Sequence, residues 1–338
     1  MIRVGIVGVT GYTGSELIRI LIKHPNVRIT GLFSRSAYNK PLKKVFPQFA
    51  SKLNLICDKP LVDIISSKCD LVFLALPHTA SMDMGAGLIK AGVRVIDLSA
   101  DYRIKDLKVY SKFYALRHKD PQGVKKAVYG LTELFSAEIK KAQLVANPGC
   151  YPTAAILSLA PLVSLGIADL STIVIDAKSG VSGAGRKKAE EFLLNKEKDD
   201  FKAYKVGVHQ HTPEINQELS FLAGDEVNVT FVPHLLPVYR GILETIYLKK
   251  RKKYADKDII GVYKKFYRRK PFVRIRKVGV FPSIKDVVNT NFCDIGIKDL
   301  GDSIIIVSAI DNLIKGASGQ AVENMNIMYG FPETSGLI

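Results

Sequence analysis

The first fourteen residues constrain the fold more than any other stretch. Ile2–Val7 is a short, largely apolar run suited to a buried strand, and it leads directly into Gly8-Val-Thr-Gly11-Tyr-Thr-Gly14. Ser15–His24 then carries Leu17, Ile18, Leu21 and Ile22 along one helical side. A strand, a glycine-rich turn and a helix in that order form the opening unit of a doubly wound α/β sheet. Such a turn lets backbone N–H groups approach a pyrophosphate, and the helix N-terminus adds the positive end of its dipole. Gly8, Thr10, Gly11, Tyr12, Thr13 and Gly14 are therefore the candidate cofactor-binding residues. Tight turns use glycine for their own reasons, so it is the flanking strand and helix that give this loop its meaning.

The same texture continues for about 150 residues. Val27–Phe33, Leu71–Leu76 and Val93–Leu98 read as further buried strands separated by helical stretches, which predicts parallel βαβ units. Near residue 150 the pattern changes. A helix is predicted over Thr153–Leu165, followed by longer strands at Ile173–Ala177, Val227–Val232, Ile242–Leu248, Asp294–Ile297 and Ser303–Ala309. These imply a second, mostly antiparallel sheet. A last helix is expected over Gly316–Met328. The texture predicts a parallel-sheet α/β domain followed by an α+β domain with a mostly antiparallel sheet, and periodicity does not place the last helix in either.

The end of the second strand bears on the choice of cofactor. NAD-binding chains usually carry an acid there for the ribose 2′-hydroxyl, whereas this chain has Phe33-Ser34-Arg35-Ser36. A hydroxyl at Ser34 and a guanidinium at Arg35 suit a 2′-phosphate, so NADP(H) is the expected cofactor. A surface arginine in a loop is the plainer but less favoured reading of Arg35. Pro77 and His78 follow the strand at Leu71–Leu76 and fall on the cofactor side of the sheet.

One cysteine stands out among four. Cys57, Cys69 and Cys293 have no distinctive setting, and no C-x-x-C pair exists, which argues against a disulfide framework or a zinc site. Cys150 sits in Asn147-Pro-Gly-Cys-Tyr-Pro-Thr, where a Pro-Gly turn would expose it and a following helix would place it at a positive end. A thiol of ordinary pKa near 8.5 needs such help to act as a nucleophile. A buried, inert thiol is the plainer alternative for any cysteine. The proton-transfer partner would come from Val208-His209-Gln210-His211-Thr212-Pro213-Glu214, in which the two histidines share a face if the segment is extended. Either His209 or His211 fits, with Glu214 orienting an imidazole. His24 reads as a surface residue and His234 as structural.

The 338 residues exceed one ordinary core. The apolar stretches are too short to span a membrane, and the N-terminus lacks the marks of a signal peptide, so a cytoplasmic protein is expected. The formal net charge of +17 comes from 49 Lys and Arg against 32 Asp and Glu, partly in runs at 249–253 and 268–270. Attraction of an anionic partner is one reading, and a solvated lysine-rich surface is the blander one. The runs lack the aromatic interleaving of a nucleic-acid groove.

Eight segments together resemble the N-acetyl-γ-glutamyl-phosphate reductases, within the aspartate-semialdehyde dehydrogenase-like group. They are GVTGYTGSEL (8–17), LALPH (74–78), DLSADYR (97–103), NPGCYPTA (147–154), AKSGVSGAGR (177–186), HQHTPEI (209–215), PHLLPVYRGI (233–242) and AIDNLIKGASGQAVENMN (309–326). They follow family order over nearly the whole chain. Thr132 departs from the family's common proline.

The resemblance implies NADPH-dependent reduction of N-acetyl-L-glutamyl 5-phosphate to the 5-semialdehyde, in arginine biosynthesis. Cys150 would carry a thioacyl intermediate, and His209, or alternatively His211, would handle the proton. Arg103 and Asn147 are then candidates for the phosphate, and Arg186 and Arg240 for the α-carboxylate. Ser179 and Ser182 become candidate substrate donors, and Asn312 and Gly316 candidate cofactor neighbours. The resemblance also implies that residues 1–149 and 315–338 form a Rossmann-type parallel-sheet NADP domain and that residues 150–314 form the α+β catalytic, substrate and oligomerisation domain. The partners expected are an acyl phosphate, inorganic phosphate and further copies of the chain, as a dimer or tetramer.

Three other readings compete. A reductase acting on an acidic carrier-protein-linked aminoadipyl or glutamyl phosphate would suit the charge, but such relatives resemble G-A-G-C-N-A-T at the cysteine. Aspartate-semialdehyde dehydrogenase shares the chemistry but not the HQHTPEI and SGVSGAGR segments. A non-catalytic NADP-sensing or nucleic-acid-binding protein would show salt-sensitive nucleic-acid binding and no role for Cys150.

Overall fold

The computed structural model describes residues 1–186, 189, 200–251, 254 and 258–338. Part of the basic run at 249–253, namely Lys252 and Lys253, lies outside the described residues. Two compact units result: residues Met1–Pro148 with Ala317–Ile338, and residues Gly149–Gly316.

The first unit is built on six parallel strands, β1 (Ile2–Val7), β2 (Val27–Phe33), β3 (Leu71–Leu74), β4 (Arg94–Asp97), β5 (Val128–Tyr129) and β6 (Leu144–Ala146), in the order β2-β1-β3-β4-β6-β5. Strands buried on both faces need apolar residues at consecutive positions, and β3 (Leu-Val-Phe-Leu) is buried throughout. The order reverses at β1, so the loops after β1, β2 and β3 collect at the carboxyl edge where such sheets bind ligands. The helix Tyr12–Leu21 starts directly from the glycine loop, three residues before the predicted Ser15, and buries Leu17, Ile18, Ile20 and Leu21.

His24 corrects the surface reading. It is 4% exposed, with Nε2 2.9 Å from the amide oxygen of Asn326 on the returning helix Gly319–Tyr329. Desolvation holds its imidazole pKa below the ordinary value. Thr132 opens the helix Thr132–Lys141 at the position where proline is also favoured. Its hydroxyl is used there: Oγ1 lies 2.5 Å from a carboxylate oxygen of Glu323 and accepts from the Gln320 amide at 3.1 Å.

The second unit holds a seven-stranded sheet of β7 (Val174–Gly180), β8 (Lys202–Ala203), β9 (Thr230–Leu236), β10 (Ile242–Lys249), β11 (Val273–Ile275), β12 (Cys293–Asp299) and β13 (Ser303–Ile310). Its order is β11-β12-β13-β10-β7-β9-β8, antiparallel except for the β7–β9 and β11–β12 pairs. The helix Cys150–Ser164 has every residue from Tyr151 to Val163 buried, because the sheet and the helix Thr212–Ala223 pack on it. That explains its all-apolar composition, which masks helical periodicity. The predicted strand at Val227–Val232 is displaced to Thr230–Leu236, since pairing with β7, not local pattern, sets its bounds. The last helix begins at Gly319 rather than Gly316, after a π-turn over Ile314–Ser318.

Candidate active site

Two clusters of polar groups, one in each unit, account for most of the residues singled out from sequence. In the first unit the turn after β1 is shaped for close backbone approach. Gly8 has φ +86°, and a Cβ there would meet the carbonyl oxygen of Ala75 at 2.2 Å. A Cβ on Gly14 would meet Val9 and the Gly8 carbonyl at 2.7 Å, so this glycine lets the helix sit on its strand. Thr10, Gly11, Tyr12 and Thr13 remain partly exposed, with Gly11 as the helix N-cap. The carbonyl of Thr13 accepts a hydrogen bond from the Ser318 hydroxyl at 3.0 Å.

At the end of β2, Ser34 is buried. Its hydroxyl accepts from the N–H of Ala37 and lies 3.2 Å from that of Ser36, whereas Arg35 is exposed. Tertiary structure brings an acid that the linear reading did not see. Asp58 bridges to Phe33 through the backbone, and its carboxylate is paired with Lys68 at 2.6 Å.

The DLSADYR segment supplies a network that its sequence did not reveal. Asp101 is fully buried and accepts the backbone N–H groups of Thr79, Ser81 and Met82 at 2.7, 2.9 and 3.1 Å, and the Tyr110 hydroxyl at 2.9 Å. It thereby holds the loop that contains Pro77, including Thr79 at φ +73°. The N–H of Ala100 donates to His78 Nδ1 at 3.1 Å. Asp97 accepts from the N–H and hydroxyl of Ser99. Burial, and then the negative charge of Asp101, raise the Asp97 carboxyl to about 6. Arg103 is buried, with Nε donating to the carbonyl of Asn147 at 2.7 Å and Nη2 to that of Leu98 at 2.8 Å. Asn147 in turn donates to the carbonyl of Ala317 and accepts from Asn324. The only sequence signal for this network was the clustering of two aspartates and an arginine within seven residues.

In the second unit Cys150 is the first residue of its helix, with Gly149 as N-cap, and it is half-buried while Cys57, Cys69 and Cys293 are buried. The thiol therefore sits at the positive end of a fifteen-residue helix. Glu214, fully buried, accepts the N–H of Gly149 at 2.8 Å, so its carboxylate supports the turn that carries the thiol. Gly316 packs directly on the same residue: a Cβ there would fall 2.8 Å from Cβ of Cys150.

His209 and His211 come together, with ring centroids 4.9 Å apart and both rings edge-on to Tyr151. They share the site without an extended segment, since His211 caps the helix Thr212–Ala223. The N–H of His211 donates to His209 Nδ1 at 3.0 Å. A neutral His209 holding that bond carries its proton on Nε2.

Ser179, Ser182, Arg240 and Asn312 are also gathered. Asn312 accepts the N–H of Gly241 at 2.6 Å and donates to the Ser182 hydroxyl at 2.9 Å. Arg240 is held by Asn289 at 2.6 Å and by the buried Asp311 at 3.4 Å. Ser179 is buried, with its hydroxyl donating to the carbonyl of Gly180. Arg186 is half-buried in the segment after β7. Tyr204, not singled out from sequence, places its ring 5.5 Å from that of His209.

A unit with a parallel sheet and a glycine cradle, and a second unit with a thiol at a helix N-terminus, define a class: the semialdehyde dehydrogenases. Residues 3–142 match the family model for the semialdehyde dehydrogenase NAD binding domain, and residues 150–312 match the one for the semialdehyde dehydrogenase dimerisation domain. The fold is similar to aspartate semialdehyde dehydrogenase II of Vibrio cholerae, solved in complex with ASA. That match has a TM-score of 0.75 and 17% identity over 98% of both chains. The Candida albicans aspartate semialdehyde dehydrogenase solved with NADP is also similar, at a TM-score of 0.70 and 18% identity over 97% of this chain and 98% of that one.

Sequence relatives narrow the class. The N-acetyl-gamma-glutamyl-phosphate reductase of Citrifermentans bemidjiense is 50% identical over 100% of this chain and 98% of its own length. That of Pelotomaculum thermopropionicum is 48% identical over 99% and 97%. The chain belongs to the N-acetyl-gamma-glutamyl-phosphate reductase family. Among the described residues, no helix is long and apolar enough to cross a membrane.

Proposed function

We propose that this chain is an NADPH-dependent oxidoreductase of the cytoplasm that reduces N-acetyl-L-glutamyl 5-phosphate to N-acetyl-L-glutamate 5-semialdehyde and releases phosphate. The observation that carries the reading is Cys150, the one partly exposed cysteine of the four, at the N-terminus of a helix whose next residue, Tyr151, is in ring contact with His209 and His211. Relatives that bear the reductase name at about half identity over the whole chain support the substrate.

The first unit binds the nucleotide. Its cradle fits a dinucleotide because Gly8, at φ +86°, turns the chain from β1 into the helix Tyr12–Leu21, whose N-terminus suits a pyrophosphate. The loop of Gly8–Gly14 takes the pyrophosphate, and Ser34 and Arg35 lie where a 2′-phosphate would be read. When bound, the reduced nicotinamide supplies the hydride.

The second unit carries the covalent step. The Cys150 thiolate, favoured by the helix dipole, attacks the acyl carbon; the C–O bond to phosphate breaks and a thioester remains. After reduction the thiohemiacetal expels the thiolate and releases the aldehyde. His209, held with its proton on Nε2, is the donor we assign to the oxygen on the acyl carbon, with His211 as the alternative. Arg103 and Asn147 are assigned to the phosphate; Arg186, Arg240, Ser179 and Ser182 to the carboxylate end of the substrate. Asn312 acts through Ser182 and Gly241, which it holds, and Gly316 through Cys150. The match to a dimerisation domain supports a homo-oligomer, which we take to be a dimer or tetramer.

The test runs the reaction backwards with N-acetylglutamate 5-semialdehyde, phosphate and NADP⁺, in wild type and in Cys150→Ala. Turnover that requires phosphate, prefers NADP⁺ to NAD⁺ and vanishes in the variant is the expected result. Folded wild type that binds NADPH but does not turn over this free aldehyde would refute it and favour a carrier-linked substrate.

A further inference from the structure

A single turn in the second unit links the thiol to an arginine. β13 ends at Ile310, and the chain passes through Asp311 and Asn312 to Gly316. The N–H of Gly316 donates to the carbonyl of Asp311 at 2.9 Å, and Gly316 packs on Cys150. The Asp311 side chain is fully buried, and its two oxygens serve different groups. Oδ1 accepts the N–H groups of Leu313 and Ile314 at 2.8 and 3.1 Å, which closes the turn. Oδ2 accepts the N–H of Asn289 at 2.7 Å and lies 3.4 Å from Nε of Arg240, an ion-pair distance. Asn289 Oδ1 in turn accepts from Nη1 of Arg240 at 2.6 Å, from a backbone held at φ +66°. Asparagine tolerates that left-handed conformation better than most residues. Contacts at two different nitrogens fix the plane of a guanidinium. The main chain of the arginine is fixed as well: Asn312 accepts the N–H of Gly241, and a Cβ on Gly180 would fall 2.8 Å from the backbone nitrogen of Arg240.

We propose that Asp311, with Asn289, is a positioning residue for the α-carboxylate of the substrate: it orients the guanidinium of Arg240 and ties it, through one turn, to the glycine that backs Cys150. The inference rests on the assignment of Cys150 to the acyl carbon and of Arg240 to the carboxylate. A guanidinium whose plane is already set loses less freedom when it pairs with a carboxylate. The tie to Gly316 adds a constraint on span. The cation for one end of the substrate and the sulfur for the other are both braced by the turn of residues 311–316. A substrate that carries its carboxylate at the matching distance from the reacting carbon is therefore favoured over one that lacks it. The plainer role for Asp311 is to cap its own turn, but Oδ1 alone performs that, and the contacts of Oδ2 lie in two other segments.

The test compares two aldehydes in the phosphate-dependent reverse reaction: N-acetylglutamate 5-semialdehyde, and 4-acetamidobutanal, which is the same chain without the α-carboxylate. Asp311→Asn keeps an oxygen for Leu313 and Ile314, but it sets an amide nitrogen, which cannot accept, against Asn289 and Arg240. Its KM for the carboxylated aldehyde is expected to rise about tenfold with kcat nearly unchanged, while its kcat/KM for 4-acetamidobutanal matches wild type. Arg240→Gln should show the same pattern, and adding Asp311→Asn to it should change nothing further. Should Asp311→Asn not fold, Asn289→Gly keeps the positive φ, removes the acceptor of Nη1 and is expected to raise the same KM several-fold. Equal losses on both aldehydes, a KM like that of wild type, or additive effects in the double variant would overturn the proposal and leave Asp311 a turn cap. Wild type that turns over neither aldehyde would instead refute the reductase reading itself.

Discussion

Gly316→Ala isolates one contact at Cys150, the residue we propose as the nucleophile. The new Cβ would lie 2.8 Å from Cβ and 3.2 Å from Cα of Cys150, and 3.3 Å from Cδ1 of Ile310. Carbon atoms in contact prefer about 3.5–4.0 Å, so roughly an ångström must be found. The two nearer atoms, Cβ and Cα of Cys150, belong to or adjoin the main chain, and only Cδ1 of Ile310 is the far end of a side chain. Cys150 is fixed by the helix N-terminus that Gly149 caps, and Ile310 is buried in β13. Overpacking of this kind costs about 1–3 kcal/mol. For a unit of this size that lowers the thermal midpoint by roughly 2–4 °C per kcal/mol. A displaced nucleophile costs more in rate than in stability, since a misplacement of about 1 Å can lower turnover on the order of 100-fold. Steady-state kinetics should therefore show kcat reduced 10- to 100-fold with the affinity for NADPH unchanged, and calorimetry should show a drop of a few degrees. Wild-type kcat together with an unchanged midpoint would refute the argument, because it would mean the helix start yields freely.

Two further predictions concern carboxyl groups in the cores. Glu244 on β10 is buried, with neither oxygen in a hydrogen bond, and desolvation raises its pKa well above the ordinary value despite the opposing charge of Lys178. Stability from this group is present at low pH and is lost as rising pH forces ionisation, so Glu244→Met should raise the midpoint, and more at pH 8 than at pH 5. Removing an unmatched buried polar group should contribute about 1–3 kcal/mol, and a loss of stability at pH 8 would count against it. Asp97 behaves alike over a lower window: its rise from 3.8 to about 6 means that roughly 3 kcal/mol of stability is lost as pH climbs from about 4 to above 6. Denaturant titrations of wild type and Asp97→Asn across that range should converge on a pH-dependent difference of that sign, and parallel curves would contradict it.

Much of the first unit was legible because its signals are local. A buried parallel strand shows as an apolar run, and a phosphate turn shows as glycines, so β1, the glycine loop and the first helix could be read in order. The position of Cys150 was legible in part: Pro148-Gly149 ahead of an apolar run marks the helix start, whereas the turn expected to be exposed is buried. The residues missed share a different trait. Asp101 and Asp58 owe their places to groups brought in from other elements, such as Thr79 and Ser81 for Asp101 and Phe33 for Asp58, and the contact of Glu214 with the Gly149 N–H spans 65 residues. His24 was misread because its burial depends on the helix that returns some 300 residues later.

The sequence by itself determined the order of the elements, the change of texture near residue 150 and the family to which the chain belongs, and it singled out Cys150 as the thiol we propose to react. Each of these is carried by covalent neighbours: side-chain period, turn chemistry and contiguous motifs. Only the tertiary structure decided which polar groups meet. It put the proton of neutral His209 on Nε2 by setting the N–H of His211 against Nδ1, and it gave Asp101 to the loop around Thr79. It also made Gly316 a packing surface for Cys150 and brought the Tyr204 hydroxyl to that of Tyr151. Such pairings follow from how strands and helices pack in three dimensions, and a linear pattern does not encode the distance between residues that packing makes neighbours.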